Sequence, residues 1–307
     1  MRFTLSSSAL SAKLSILSKV INTKNSLSIL DSYLFEIKDG QLIITASDNA
    51  NMMKCHVALS DYEGEGAFCI PNRIIQAAVK ELPEQPLTFE VSSPDNSVKV
   101  IYQNGSYRVA GQSADDYPNL QPIENDFTEI FLPANTLAAN IQRTMFATAN
   151  DELRMVMNGL YFDLREDSLN IVASDGHKMV RNMIFSCKTA NPSSFILPKK
   201  PAGLLRSVLD LNDETEISIR FNNNNAEIKF ADGVLSCRLI EGRYPNYSSV
   251  IPTDNPNVVN IDRKGLMSAL RRVLPFASES TQLVKLRLTP NNLELSSEDI
   301  DFATAAH

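Results

Sequence analysis

Ser174, Asp175, His177 and Lys178 place a hydroxyl, a carboxylate, an imidazole and an ammonium within five residues of the stretch IVASDGHKMV, residues 171–180. His177 is one of only three histidines in the chain. Such a set could serve acyl transfer, line a binding surface, or simply close a strand with a polar turn. Nucleophilic catalysis needs a base held beside the hydroxyl by a third group, and a strained nucleophile turn such as G-x-S-x-G. No such turn occurs, nor does G-x-x-x-x-G-K-[ST] or G-x-G-x-x-G. His56 and His177 lie apart without H-E-x-x-H spacing, and His307 is at the end of the chain. The carboxylate pairs in SADDYP and SSEDID sit in turn-like polar contexts. No catalytic residue, metal or cofactor is therefore expected, and the chain reads as a binding protein.

The elements that must position this cluster repeat along the chain. ITASDNANMM (44–53) matches IVASDGHKMV, with Asp48 and Asp175 127 residues apart, and LELSSEDIDF (293–302) is a degraded third copy centred on Asp299. Apolar residues at helical spacing recur in 8–21, 135–148 and 264–277. FCIPNRIIQAAVKEL matches FILPKKPAGLLRSVL, each a short strand running into a Pro suited to the first turn of a helix. Alternating strands flank Asn104-Gly105 and Asp232-Gly233, both hairpin signals. Each unit reads helix, strands, helix, strands. Polar linkers near 125 and 254 divide the chain into 1–125, 126–254 and 255–307. By this count the third unit is partial, and a truncated chain is expected. The repeat assigns IVASD to shared architecture, an Asx-type turn at a strand end, and leaves only GHKM particular to the middle unit.

Composition limits the rest. With 307 residues and 43% hydrophobic content, two or three domains with sizeable cores are expected. No uncharged apolar run long enough to cross a membrane exists, and MRFTLSSSAL lacks the features of a secretory signal. Cys55, Cys69, Cys187 and Cys237 form no C-x-x-C pair, which suits reduced, buried thiols. A cytoplasmic protein with no membrane partner is the expectation.

The net charge of −7 by itself argues against nucleic acid. The charge is segregated, however. Five helical windows (10–21, 71–82, 137–148, 198–209 and 263–274) hold 12 basic residues against one acidic, Glu81, so they carry about +11 and the remainder about −18. Equivalent helices sharing one surface would focus positive potential inside a negative shell, which attracts a polyanion. Ordinary solubilisation of helix faces is the alternative. No recognition-helix or zinc-finger signature is present, so sequence-specific readout is not expected.

RFTLSSSALSAKLS, MNGLYFDL, ASDGHKM, LPKK and EGRYPNYSSVIP, in that order over three tandem units, resemble the bacterial DNA polymerase III beta subunit family, the sliding clamps. The resemblance implies an α+β chain of tandem DNA-clamp repeats, each with two helices packed on antiparallel β-sheets. It implies a ring of two protomers joined head to tail around duplex DNA, opened by a clamp loader and without catalytic activity. Its implied partners are duplex DNA, the DNA polymerase III alpha subunit, the clamp loader, other DNA polymerases and repair proteins, with a homodimer in the intact protein.

Position by position, the resemblance implies DNA contacts at Lys24, Arg73, Arg143, Lys199 and Lys200, each otherwise a solvated surface cation. It implies a pocket for short hydrophobic-ended peptides at Met157, Ser174, Gly176, His177, Lys178, Pro245, Ser249 and Val250. Ser249 stands where some clamps have Arg, and Lys178 where Arg is common, so a point charge replaces a planar fork. The implied dimer interface is Tyr107 and Val109 in the first unit with Phe276, Glu298 and Asp301 in the third. With a partial third unit, a mainly monomeric or unstable chain is expected. Two other readings stay open: a repeat-built interaction scaffold that never touches DNA, and an enzyme using 174–178.

Overall fold

The structure, a computed structural model, describes residues 1–299 and 304–306. It divides into two compact units, Met1–Pro245 and Asn246–His307.

In the first unit, repeat one runs β1 (Arg2–Ser6), α1 (Ser7–Leu17), β2 (Ser32–Lys38), β3 (Gln41–Ser47), β4 (Asn51–Val57), β5 (Asp61–Glu63), β6 (Gly66–Pro71), α2 (Asn72–Lys80), β7 (Pro86–Val91), β8 (Ser97–Tyr102) and β9 (Gly105–Ala110). Repeat two runs β10 (Thr128–Pro133), α3 (Ala134–Thr144), β11 (Gly159–Leu164), β12 (Leu169–Ser174), β13 (Met179–Ile184), β14 (Ser193–Pro198), α4 (Lys199–Val208), β15 (Glu216–Phe221), β16 (Asn225–Phe230) and β17 (Gly233–Arg238).

Strict alternation makes the strands. Tyr33, Phe35 and Ile37 on β2 and Leu42, Ile44 and Ala46 on β3 all point inward and are buried. Phe3 stacks on Phe89 with centroids 4.8 Å apart, and Phe35 tilts against Phe68 at 5.4 Å, so aromatic packing fixes the centre of repeat one. The helices cover these sheets with one apolar stripe each: Leu10, Leu14 and Leu17 on α1, Ile75 and Val79 on α2, Leu137 and Ile141 on α3, Leu204 and Leu205 on α4. Ser6 caps α1 by accepting from the Ala9 N–H at 3.2 Å, while its own hydroxyl donates to Glu84. Pro71, Pro133 and Pro198 each end a strand and sit one residue before the first helical residue, where a missing N–H costs nothing.

All strand pairs in this unit are antiparallel, in sheets ordered β5-β1-β7-β8-β9, β10-β15-β16-β17-β4-β3-β2-β6, and β13-β12-β11-β14. The eight-stranded sheet crosses from repeat two to repeat one at β17–β4, pairing Gly233 with Cys55 through to Cys237 with Asn51. The two repeats are thus fused through main chain and do not hang on a linker.

The hairpins differ from the sequence reading by one residue. The loops are Gln103-Asn104 and Ala231-Asp232, and Gly105 and Gly233 open the following strands, paired with Tyr102 and Phe230. Neither glycine has a left-handed φ. Gly233 is there for close approach: a Cβ would lie 2.0 Å from the Lys54 carbonyl oxygen across the seam.

The second unit contains α5 (Arg263–Val273) and an antiparallel sheet ordered β18 (Lys285–Thr289), β19 (Asn292–Asp299), β20 (Thr304–Ala306). Asp262 caps α5 by accepting from the Gly265 N–H at 2.6 Å, and the Ser297 hydroxyl donates to the Val273 carbonyl, tying β19 to the helix end. Among the described residues, no helix is long and apolar enough to cross a membrane.

Candidate functional site

The polar cluster at 174–178 is a turn built twice. The Asp175 Oδ1 accepts from the backbone N–H groups of His177 and Lys178, both at 2.9 Å. The Asp48 Oδ1 accepts from Ala50 at 3.0 Å and Asn51 at 2.7 Å. Ser174 Oγ accepts from the Gly176 N–H and Ser47 Oγ from the Asn49 N–H, each at 3.1 Å. Gly176 and Asn49 hold the same left-handed place, φ +90° and +78°. The Ser174 oxygen is therefore spent on the backbone, and no hydrogen bond joins the His177 ring to Ser174 or Asp175. The Lys178 ammonium bonds the other Asp175 oxygen. That bond, with the two backbone donors, holds the Asp175 carboxyl well below the usual carboxylate range. This carboxylate is fixed and ionised, with no imidazole to orient.

His177 and Lys178 open into a cavity of about 620 Å³ on the helix side of repeat two. It is walled by Gln142, Met145 and Phe146 from the end of α3, by the 148–154 loop, and by Lys199 and Arg206 of α4. Arg154, Lys178, Lys199 and Arg206 face it against Asp151 and Asp175, so the lining is net cationic. Asp151 Oδ2 holds the Arg154 Nε at 2.7 Å, and the guanidinium lies over Gly176, where an added Cβ would meet it at 2.9 Å. The Lys199 Nζ donates to the neutral Asn150 Oδ1 at 2.5 Å and has no ion pair among the described residues. Phe146 adds an aromatic face that is 67% exposed.

The expected peptide-pocket residues belong to both units. His177 and Lys178 share the cavity. Met157 is buried beneath the surface and does not line it, and Pro245 is exposed at the end of the first unit. Ser249 and Val250 belong to the second unit; the Ser249 hydroxyl donates to the Asn246 carbonyl at 2.8 Å, and Val250 is 68% exposed. Arg154, Arg206 and Phe146 were not singled out from the sequence. Arg206 is among the cations of its basic window, but nothing in spacing aims it at the cluster.

The expected DNA-facing cations also divide. Lys24, Arg73 and Arg143 are exposed, with no ion pair among the described residues. Lys200 is different: its Nζ donates to the Val20 carbonyl and Asn22 Oδ1, each at 2.6 Å, and to the Asp48 carboxylate. Lys13, another cation of the basic windows, pairs with Asp232 at 2.8 Å across the same repeat junction. Burial pushes the Asp48 carboxyl up, but the bonds from Lys200 and Asn51 outweigh it and leave Asp48 below its ordinary value.

Among the expected interface residues, Tyr107 on β9, the edge strand of its sheet, tilts against Tyr102 of β8 with centroids 4.8 Å apart, and Val109 on β9 is already buried. Phe276 and Glu298 are exposed on the second unit. Asp301 lies outside the described residues.

Comparison with known proteins bears on this geometry. Residues 1–121 match the model of the DNA polymerase III beta subunit N-terminal domain, and residues 131–246 that of its central domain. The beta sliding clamp of Haemophilus influenzae is 28% identical, over 99% of this chain and 82% of that protein. That of Escherichia coli K12 is 26% identical, over 97% and 81%. The crystal structure of the Thermotoga maritima DNA polymerase III beta subunit superposes with a TM-score of 0.83 at 27% identity, covering 99% of this chain and 82% of that one. The Pseudomonas aeruginosa sliding clamp bound to griselimycin shares the fold at a TM-score of 0.93 and 22% identity, covering 100% and 82%. The chain belongs to the DNA polymerase III beta subunit family, the beta sliding clamps.

Proposed function

We propose that this sliding clamp encircles duplex DNA without reading its sequence and holds the replicative polymerase and other partners to it, with no chemistry of its own. The observation that carries this reading is the way repeats one and two join. The closing strand of repeat two, β17, pairs with β4 of repeat one. By the 127-residue offset, the strand equivalent to β17 in repeat one is β9, an open edge, and the equivalent of β4 in the third repeat is β20. A second copy offering β20 to β9 would repeat the internal junction between chains, using the interface residues the resemblance implies, Tyr107, Val109, Phe276, Glu298 and Asp301. Head-to-tail pairing of this kind generates a closed ring when the rotation closes. The division 1–125, 126–254 and 255–307 then marks repeats, each contributing helices to the inner face.

Weak phosphate contacts from Lys24, Arg73, Arg143 and Lys199 suit a protein that must slide, since retention is topological. The His177–Lys178 turn, with Met157, Ser174, Gly176, Pro245, Ser249 and Val250, is the reading we retain for partner peptides. The griselimycin-bound relative supports a ligand site on this fold. DNA polymerase III alpha subunit, the clamp loader, other DNA polymerases and repair proteins are the implied partners, in the cytoplasm. Primer extension tests this. The chain and its loader should lengthen the products the polymerase makes per binding event, and a His177→Ala, Lys178→Ala variant should weaken that effect and peptide binding together. Unchanged product length with the wild-type chain would contradict the reading.

A further inference from the structure

Lys200 carries the same charge as Lys199 beside it but has a different position in the fold. An ammonium has three hydrogens to donate, and all three of Lys200 have acceptors in repeat one: the Val20 carbonyl, Asn22 Oδ1 and the Asp48 carboxylate. The Lys200 side chain is 34% exposed and that of Asp48 only 5%. A phosphate could draw Lys200 away only by leaving a nearly buried carboxylate unpaired, which is costly. The Val20 carbonyl that Lys200 bonds lies three residues beyond Leu17, the last residue of α1, in the turn that leads into the 20–25 segment.

What it fixes is the segment after α1. Asn22 is held by Lys200 on one side. Asn25 then donates to the Asn22 carbonyl at 3.0 Å and to Asp31 at 2.7 Å. Lys24 lies between these two anchored asparagines and has no tie of its own among the described residues.

We propose that Lys200 is a positioning residue that clamps the 20–25 segment to repeat two and so holds Lys24 toward DNA, and that it makes no phosphate contact itself. This rests on the DNA reading above. Arg would not replace Lys200, because a planar fork does not fit three convergent acceptors.

Duplex binding by the full chain, followed by fluorescence anisotropy over a range of salt, tests it. Asp48→Asn removes a negative charge, so simple electrostatics predicts tighter binding. The clamp predicts weaker binding by several-fold, about as much as Lys200→Met. Asn22→Ala, which leaves the Asp48–Lys200 pair intact, should give a smaller loss and guards against a folding defect. All three effects should vanish in a Lys24→Ala background, with the salt slope of Lys200→Met, Lys24→Ala equal to that of Lys24→Ala alone. The inference is overturned if Lys200→Met adds to Lys24→Ala and lowers the slope by about 0.9 more, or if Asp48→Asn tightens binding. If the wild-type chain binds no duplex even at low salt, the DNA reading falls and this role falls with it.

Discussion

Replacing Gly233 by Ala should damage the molecule more than its size suggests. The new methyl would sit 2.0 Å from the Lys54 carbonyl oxygen, 3.1 Å from its carbon and 3.2 Å from the Cys55 Cα. All three are backbone atoms of β4, so no side chain can swing aside. Favourable carbon contacts lie near ~3.5–4.0 Å, so β17 and β4 must part by more than an ångström at the first pair of their seam. Overpacking of this kind costs ~1–3 kcal/mol. The neighbouring bond from the His56 N–H to the Asp232 carbonyl, now 2.8 Å, and the Lys13–Asp232 pair lie at the same place. Losing one or two main-chain hydrogen bonds adds ~0.5–1.5 kcal/mol each, for a total of roughly 2–6 kcal/mol. At ~2–4 °C per kcal/mol for a unit of this size, calorimetry should show Tm lower by roughly 4–24 °C. Hydrogen exchange should quicken first in β4 and β17. Gly203→Ala is the matched control: in α4 its Cβ meets only the Met145 Cε, at 3.7 Å. It should stabilise by ~0.5–1 kcal/mol through helix propensity. A Gly233→Ala protein melting with the wild type, or the two variants moving together, would refute the reasoning.

The expected DNA-facing cations that have no ion pair among the described residues give a second expectation. Replacing Lys24, Arg73, Arg143 and Lys199 together by Ala should reduce the slope of log affinity against log salt by about 3.6, at ~0.9 per phosphate contact. An unchanged slope would mean that these faces are merely solvated. The thiols give a third. Burial pushes Cys55 up to about 11 and Cys69 and Cys237 up to about 12, so thiolate is scarce at neutral pH. A thiol reagent should react slowly with the native chain and with all four cysteines once it is unfolded; rapid labelling of buried Cys237 in the native state would contradict the packing.

Much of this architecture was legible because the chain repeats it. The shared turn at Asp48 and Asp175 follows from ASD recurring at 46–48 and 173–175, since a carboxylate accepting two following N–H groups is a local event. Helix positions were legible for the same reason, although α1, α3 and α5 stop four residues before their apolar spacing does, and short 3-10 turns, Met145–Ala147 and Leu274–Phe276, follow α3 and α5. What local pattern could not give is the neighbour. Alternation in β4 and β17 says that each is a strand, not that they pair across the repeats. Likewise Asn104-Gly105 and Asp232-Gly233 read as turns, yet their glycines serve contacts in the next strand. Lys199 and Lys200 are identical in type and adjacent in sequence. Only acceptors about 150 to 180 residues away make one a cavity cation and the other a structural tie. Arg154 and Arg206 reach the cluster through loop and helix geometry that no spacing encodes.

Topological retention on DNA is the most direct test. The chain should be assembled by its clamp loader on nicked circular duplex, separated from free protein by gel filtration at moderate salt, and the DNA then cut once. The sliding-clamp function predicts co-elution with the circle and loss from it after linearisation. Protein that stays on the linear product, or that never travels with the circle, would contradict it.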